Sequence, residues 1–257
     1  YVGFMPLSSL VPLSARAASR KLNMAVVVRH ALLFRRSCHL NGCVASDIVV
    51  ELSFGTWLSA VGPASFGWLE VVSATGDSAF ILESDTAPFI SSKDEQVVRS
   101  TLVARAPLLL GWPYSWGGRS AFEYGRQTTH YSGLDCSGLV SILYRSTGIV
   151  VPRDASKQAM KVANVTVSSM QVGDVFFLGI SGRVHVTHVM MLYELGAEPK
   201  LVESAGNSTR ILPIRQVFGA PLPQLVWGQQ LTAGMDSGAF LTWGNFFPIL
   251  NKNMMQK

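Results

Sequence analysis

Cysteine is scarce in this chain: three in 257 residues, at positions 38, 43 and 136. So few thiols exclude a disulfide framework, and without a Cys-x-x-Cys pair no zinc site or other metal centre is expected. At most Cys38 and Cys43 could bridge, and either way Cys136 is left as a free thiol. Charge is also sparse, with Asp, Glu, Lys and Arg making 14% of the residues. Long apolar runs are missing too. The most apolar windows, such as Val26 to Phe34, are broken by Arg29 and His30, so no membrane-spanning helix is expected. Acids are absent from residues 1–46, which hold six bases (Arg16, Arg20, Lys21, Arg29, Arg35 and Arg36). The other 211 residues carry 15 bases and 16 acids, a net of −1 (15 − 16). The formal +5 is therefore an N-terminal property. With no basic stripe interleaved with aromatics after residue 46, a nucleic-acid partner is not expected.

What the chain does have is apolar content, 48% of residues, enough for one sizeable domain or two smaller ones. Residues 1–23 form an acid-free arm rich in Arg, Ser and Ala, either the remnant of a targeting segment or a plain disordered stretch. Over 24–90, short apolar runs (AVVV, LLF, IVVELSFGTWLSAVG, GWLEVV, AFILE) are separated by Gly55, Gly62, Gly67 and Gly76. Val50, Leu52 and Phe54 alternate with polar residues, which predicts small antiparallel strands. A linker is placed at about 86–92. Ser92-Lys-Asp-Glu95 has the capping-box pattern, and Val97, Val98, Thr101 and Leu102 follow at helical spacing, so a helix is predicted from near Lys93, kinked or ended by Pro107.

A second domain is assigned to 91–232. After the aromatic and glycine loop 111–118, Leu139, Val140, Leu143 and Tyr144 define one face of a helix that Gly148 stops. Asp135 lies near its cap and Cys136 in its first turn. Residues 151–154 form a loop, followed by a short polar helix. Strands are then predicted at 174–179, 184–193, 200–205 and 214–218, and the tail 233–257 has no assigned element.

The position of Cys136 is the chemical signal. A thiol at a helix N-terminus faces unpaired N–H groups and the positive end of the helix dipole, which favours thiolate and makes Cys136 a candidate nucleophile. Its base must come from elsewhere. His185 and His188 point to opposite faces of a strand, so only one can serve. Val184, Val186, His188, Met190 and Leu192 share a face, which favours His188, and Glu203 on a neighbouring strand could orient that imidazole.

The segments YSWGG (114–118), LDCSGLV (134–140), VPRDASKQ (151–158), VGDVFF (172–177), THV (187–189) and VESA (202–205), in this order, resemble the NlpC-type family of papain-like cell-wall cysteine peptidases. The resemblance covers about 105–218. It implies an α+β domain in which a helix carrying the Cys packs on an antiparallel sheet carrying the His. Carried over by position, Cys136 is the nucleophile and His188 the general base, while Glu203 stands where the family usually has a second His. The run 47–56 with GWLEV is similar to bacterial SH3-like modules that precede such domains, which implies a small SH3-like β-barrel over 24–90.

Together the two parts resemble the subgroup that cleaves γ-D-glutamyl-L-diamino acid bonds in murein peptides bearing a free N-terminal L-Ala. That implies a substrate pocket lined by Tyr114, Trp116, Asp135, Ser137 and Arg153, with Glu51 of the first module as a further carboxylate for the amine. It also implies no cofactor, a murein peptide as the partner and a monomer. The chain departs from the family in three ways. A longer segment between Ser120 and Leu134 contains His130, Met190 replaces a Gly usually found two residues after the His, and one SH3-like module stands where some relatives have two. An acyltransferase or amidase of the same fold, or a non-catalytic wall-binding protein, are the rival readings. The compartment is left open between the cell envelope and a cytoplasmic recycling role.

Overall fold

The computed structural model describes residues 15, 19–38, 42–73, 75–90, 94–120, 133–180 and 185–248. Most of the expected N-terminal arm, His130 and Val184 lie outside them. Among the described residues, the first half of the chain has seven short strands: β1 (Met24–Val26), β2 (His30–Phe34), β3 (Ile48–Ser53), β4 (Trp57–Leu58), β5 (Trp68–Val72), β6 (Ser78–Leu82) and β7 (Thr86–Pro88). They pair as two antiparallel sheets, β4-β1-β7 and β3-β2-β6-β5. Period two decides what they bury: Ala31 and Leu33, Leu69 and Val71, and Ala79 and Ile81 face one small core. Cys38 and Cys43 are disulfide-bonded in the β2–β3 connection. Thr86–Pro88, expected within a linker, is a strand paired with β1, because these residues supply the ladder partners that β1 needs on its second edge.

The second half begins with helix α1 (Glu95–Arg105), whose N-cap residue is Asp94; Ser92 of the expected capping box lies outside the described residues. Val98 and Leu102 are fully buried, while Val97 is exposed. Pro107 sits in the 3-10 turn that ends the helix. There follow β8 (Arg119–Ser120), β9 (Gly133–Leu134), α2 (Cys136–Ser146), α3 (Ala155–Ala159), β10 (Val175–Gly179), β11 (Val186–Glu194), β12 (Lys200–Ala205), β13 (Ser208–Pro213), α4 (Ile214–Phe218) and β14 (Phe240–Gly244). The last five strands make one antiparallel sheet in the order β13-β12-β11-β10-β14. The architecture is α+β.

This sheet is covered on both faces. Val175, Phe177, Val189, Met191 and Val202 pack with α1 and α2, whereas Phe176, Leu178, Met190, Leu192 and Leu201 pack with α4. Burial on both sides is why these strands read as continuous apolar runs without alternation. Met190, where the family usually has glycine, is completely buried in the α4-side core.

Two expectations are corrected. Residues 214–218 are helical: Pro213 precedes the segment, Gly219 ends it at φ 75°, and Ile214, Val217 and Phe218 bury one helical face. The second domain extends past 232, because Phe240–Gly244 pairs along β10 and Phe246 and Phe247 enter the α2 core.

The halves are joined by specific contacts at the C-terminal end of α2. Trp57 Nε1 donates to the Arg145 carbonyl at 2.7 Å, Arg145 Nε donates to the Gly55 carbonyl at 2.8 Å, and the guanidinium stacks 4.5 Å from the Trp57 ring. Phe54, expected in the first module's own alternation, instead packs into the core shared with α1 and α2. Beneath the sheet, Arg99 is buried against Asp174 at 2.7 Å and Glu95 at 2.8 Å, with the Phe247 ring 4.4 Å from its guanidinium.

Candidate active site

Helix α2 starts where a loop forces it to. Ser115 N–H donates to the Leu134 carbonyl at 3.1 Å, and Asp135 N–H donates to the Gly118 carbonyl at 2.9 Å. The loop thus braces the entry strand on one side. The packing is close enough to demand glycine: a Cβ at Gly138 would collide with the Gly118 carbonyl and stand 3.0 Å from Asp135 Oδ1. Asp135 is extended (φ −88°, ψ 178°) and caps the helix, its Oδ1 accepting from Gly138 N–H at 2.6 Å. Cys136 follows as the first helical residue, 8% exposed.

The cap carboxylate is engaged further. Arg153 meets it with both arms, Nη1 to Oδ1 at 3.0 Å and Nη2 to Oδ2 at 2.7 Å. Ser137 Oγ donates to Oδ1 at 3.2 Å and accepts from Arg153 Nη1 at 2.9 Å. Asp135 and Arg153, both expected to line the substrate pocket, are therefore paired with each other. By count Oδ1 accepts three hydrogen bonds and Oδ2 one, so Oδ2 retains acceptor capacity.

Strand β11 brings the imidazole. His188 pairs with Leu178 but Val186 with Gly179, so Thr187 forms a bulge. The expected common face is broken there: Val186 packs in the α2 core, Met190 and Leu192 in the other. Bulges of this kind re-aim a side chain beside a site. His188 Nε2 lies 2.6 Å from Glu203 Oε2, and the Cys136 sulfur is near enough to act on the charge of the ring. With Nε2 committed to Glu203, Nδ1 is the nitrogen left for the sulfur. Burial of the ring lowers its pKa, but the influence of Cys136 and the bonded, anionic Glu203 outweighs it and raises His188 to about 10. Glu203 is pushed up by burial and down more strongly by His188 and Arg210, so its carboxyl ends below the usual range. His185 is exposed and takes no part.

Tyr114, Trp116, Asp135, Cys136, Ser137 and Arg153 all line one cleft of about 670 Å³. Trp116 is 78% exposed on its lip, so it is no core residue. Burial and the nearby Cys136 and Asp135 raise the Tyr114 hydroxyl pKa. Glu51 is not brought here: it is exposed on β3, at the edge of its sheet, with its carboxylate 3.7 Å from His30. Among the described residues no group of three His, Cys, Asp or Glu side chains could hold a metal ion.

Two residues of the site were not anticipated. Gln158 is buried and donates to the Ser137 and Pro152 carbonyls at 3.1 and 2.8 Å, fixing the turn that carries Arg153 to the helix. Arg210 grips Glu203 Oε1 through Nε at 2.8 Å and Nη2 at 2.7 Å. A signal for it existed: Gly206-Asn207 between two β-prone runs is a two-residue hairpin loop, and pairing Ala205 with Ser208 sets Glu203 opposite Arg210.

Residues 111–220 match the model of the NlpC/P60 family. The γ-D-glutamyl-L-lysine dipeptidyl-peptidase of Bacillus subtilis is 29% identical over 169 residues, 66% of this chain and 52% of the relative. The peptidoglycan endopeptidase RipB of Mycobacterium tuberculosis is 32% identical over 128 residues, 47% of this chain and 49% of the relative. The chain thus spans about half the length of these curated relatives. The crystal structure of an NlpC/P60 family protein from Bacillus cereus superposes with a TM-score of 0.63 at 25% identity, covering 82% of this chain and 64% of that one. So large a share must reach into the residues before 111. Residues 111–220 of this chain are an NlpC/P60 domain.

Proposed function

We propose that the chain is a cysteine peptidase that hydrolyses γ-D-glutamyl-L-diamino acid bonds in murein-derived peptides with a free N-terminal L-Ala, acting as a monomer. Cys136 is the nucleophile, His188 the acid and base, and Glu203 the residue that orients the ring. One observation carries this: an imidazole bonded to a buried carboxylate and electrostatically coupled to a helix-start thiol that lines a cleft. The relatives named as γ-D-glutamyl-L-lysine dipeptidyl-peptidase and peptidoglycan endopeptidase support the substrate class.

The geometry suits thiol acyl transfer. A ring that keeps its proton to about pH 10 is the cationic half of an ion pair with the sulfur. The thiolate attacks the γ-glutamyl carbonyl carbon, and backbone N–H groups at the start of α2 receive the oxyanion, each donor contributing roughly 3 kcal/mol. The C–N bond then breaks as His188 gives its proton to the leaving amine. In the thioester the sulfur is no longer anionic, so one of the influences holding the ring proton is gone. Neutral His188 can then take a proton from water, whose oxygen displaces the thiolate.

The amine of the substrate is read as docking on the open side of Asp135 Oδ2, with Tyr114 beside it, while Arg153 and Ser137 fix that carboxylate. Trp116 at the lip covers the peptide. The N-terminal strands over 24–88 are read as an SH3-like module that forms one flank of the domain. The test is product identification by mass spectrometry from L-Ala-γ-D-Glu-diamino acid peptides with free and blocked amines. Cleavage of the free-amine series alone, lost in Cys136→Ala, is expected. Full hydrolysis by Cys136→Ala would defeat the proposal.

A further inference from the structure

Glu203 is shared between two cations. Its Oε2 meets His188 and its Oε1 meets the fork of Arg210. Arg210 stands directly opposite Glu203 in the β12–β13 ladder, so strand register itself holds the pair together. The Glu203 side chain is 4% exposed and that of Arg210 is 37% exposed. Resting on the peptidase reading above, we infer that Arg210 is a positioning residue that keeps Glu203 anionic and aimed at His188 in both protonation states of the imidazole.

The reasoning is electrostatic. The reaction requires the ring to alternate between imidazolium and imidazole. While the ring is cationic it is the counter-ion of Glu203. Once its proton has gone to the leaving amine, a carboxylate this deeply buried would face a neutral ring with no compensating charge, a costly arrangement. With no second cation, the His188–Glu203 pair would hold back the proton that the amine needs. A guanidinium does not titrate in the working range and binds a carboxylate through two donors at once, so it supplies a charge that does not change as the ring cycles.

The groups facing this cluster come from four elements: Cys136 of α2, Glu203 of β12, Arg210 of β13, and Asp236 in the segment before β14. Burial raises the Asp236 carboxyl, with His188 and Arg210 pulling it down and Glu203 pushing it up. Asp236 therefore belongs to the same electrostatic unit, but no hydrogen bond ties its carboxylate to the His188–Glu203–Arg210 chain in the way that Arg210 is tied.

The test is an NMR titration of ¹⁵N-histidine-labelled full-length protein in a Cys136→Ala background, where the sulfur does not titrate with the ring; His188→Gln identifies the resonance. Arg210→Met is expected to raise the imidazolium midpoint by about one pH unit. Arg210→Lys should restore most of that shift, and in Glu203→Gln the Arg210→Met shift should vanish. With Cys136 intact, Arg210→Met should lower kcat at unchanged KM and move the acidic limb of the kcat profile to higher pH. An unchanged midpoint, or equal shifts with and without Glu203, overturns the inference. If Arg210→Met does not fold, Arg210→Gln carries the same comparison. The NMR midpoints are read without substrate, so failure of the wild-type chain to cleave murein peptides would sink the peptidase reading and leave this comparison standing.

Discussion

His188 and Glu203 are drawn to 2.6 Å across two adjacent strands, a separation at the short end for an N–H···O contact and typical of a charged pair. Glu203→Gln keeps the shape and removes the charge. On the proposed peptidase reading, hydrolysis of a γ-D-glutamyl substrate is expected to fall by about two orders of magnitude, with KM little changed, as measured in steady-state assays. Retention of wild-type kcat would show that the carboxylate is dispensable.

The ring's raised pKa gives a pH signature. Because Cys136 and Glu203 hold His188 at about 10, against about 6.5 in an unfolded chain, the imidazolium is present throughout the neutral range. The ¹⁵N signals of the His188 ring should therefore hold constant across neutral pH and change only near pH 10. The linkage has a definite sign: a folded value above the unfolded one stabilises fully below about pH 6.5, and the contribution is lost as pH rises through 10. The Tm advantage of wild type over His188→Gln should fade over that window.

Gly138 has no room for a side chain, because its Cα faces the Gly118 carbonyl. Gly138→Ala should force the loop 111–118 away from α2 and cost about 1–3 kcal/mol in urea unfolding. The displaced Asp135 cap should also slow alkylation of Cys136. A variant as stable and as reactive as wild type would contradict this packing.

Arg99 is buried with its charge answered by Asp174 at 2.7 Å. Asp174→Asn strands that charge with only Glu95, which is itself partly exposed. A loss of about 3–5 kcal/mol is expected, read from chemical denaturation, with the cleft chemistry of any folded fraction unchanged.

The site was more legible in the sequence than the fold around it. Asp135-Cys136-Ser137-Gly138 announced a capped helix start, and the apolar face Leu139, Val140, Leu143 and Tyr144 is buried as its spacing predicts. What could not be read depended on long-range pairing. The five residues 214–218 are too few for period 2 and period 3.6 to diverge, and only the flanking Pro213 and Gly219 distinguish them. Residues 240–244 escaped notice because Leu241, Thr242, Trp243 and Gly244 are all buried, so no alternation marks the strand. The bulge at Thr187 invalidated a face count that assumed an unbroken pleat. Glu51 was carried over by likeness of position, and the register of β3 turns it to His30.

The strand that closes the main sheet is also the last of its five in chain order. Until residues 240–244 emerge, β10 is an open border whose five residues are all apolar or glycine and all buried in the finished protein. A nascent or truncated chain therefore displays an unpaired, sticky ribbon of backbone. Premature stops in this region should yield insoluble material or chaperone clients instead of a soluble, merely weakened protein.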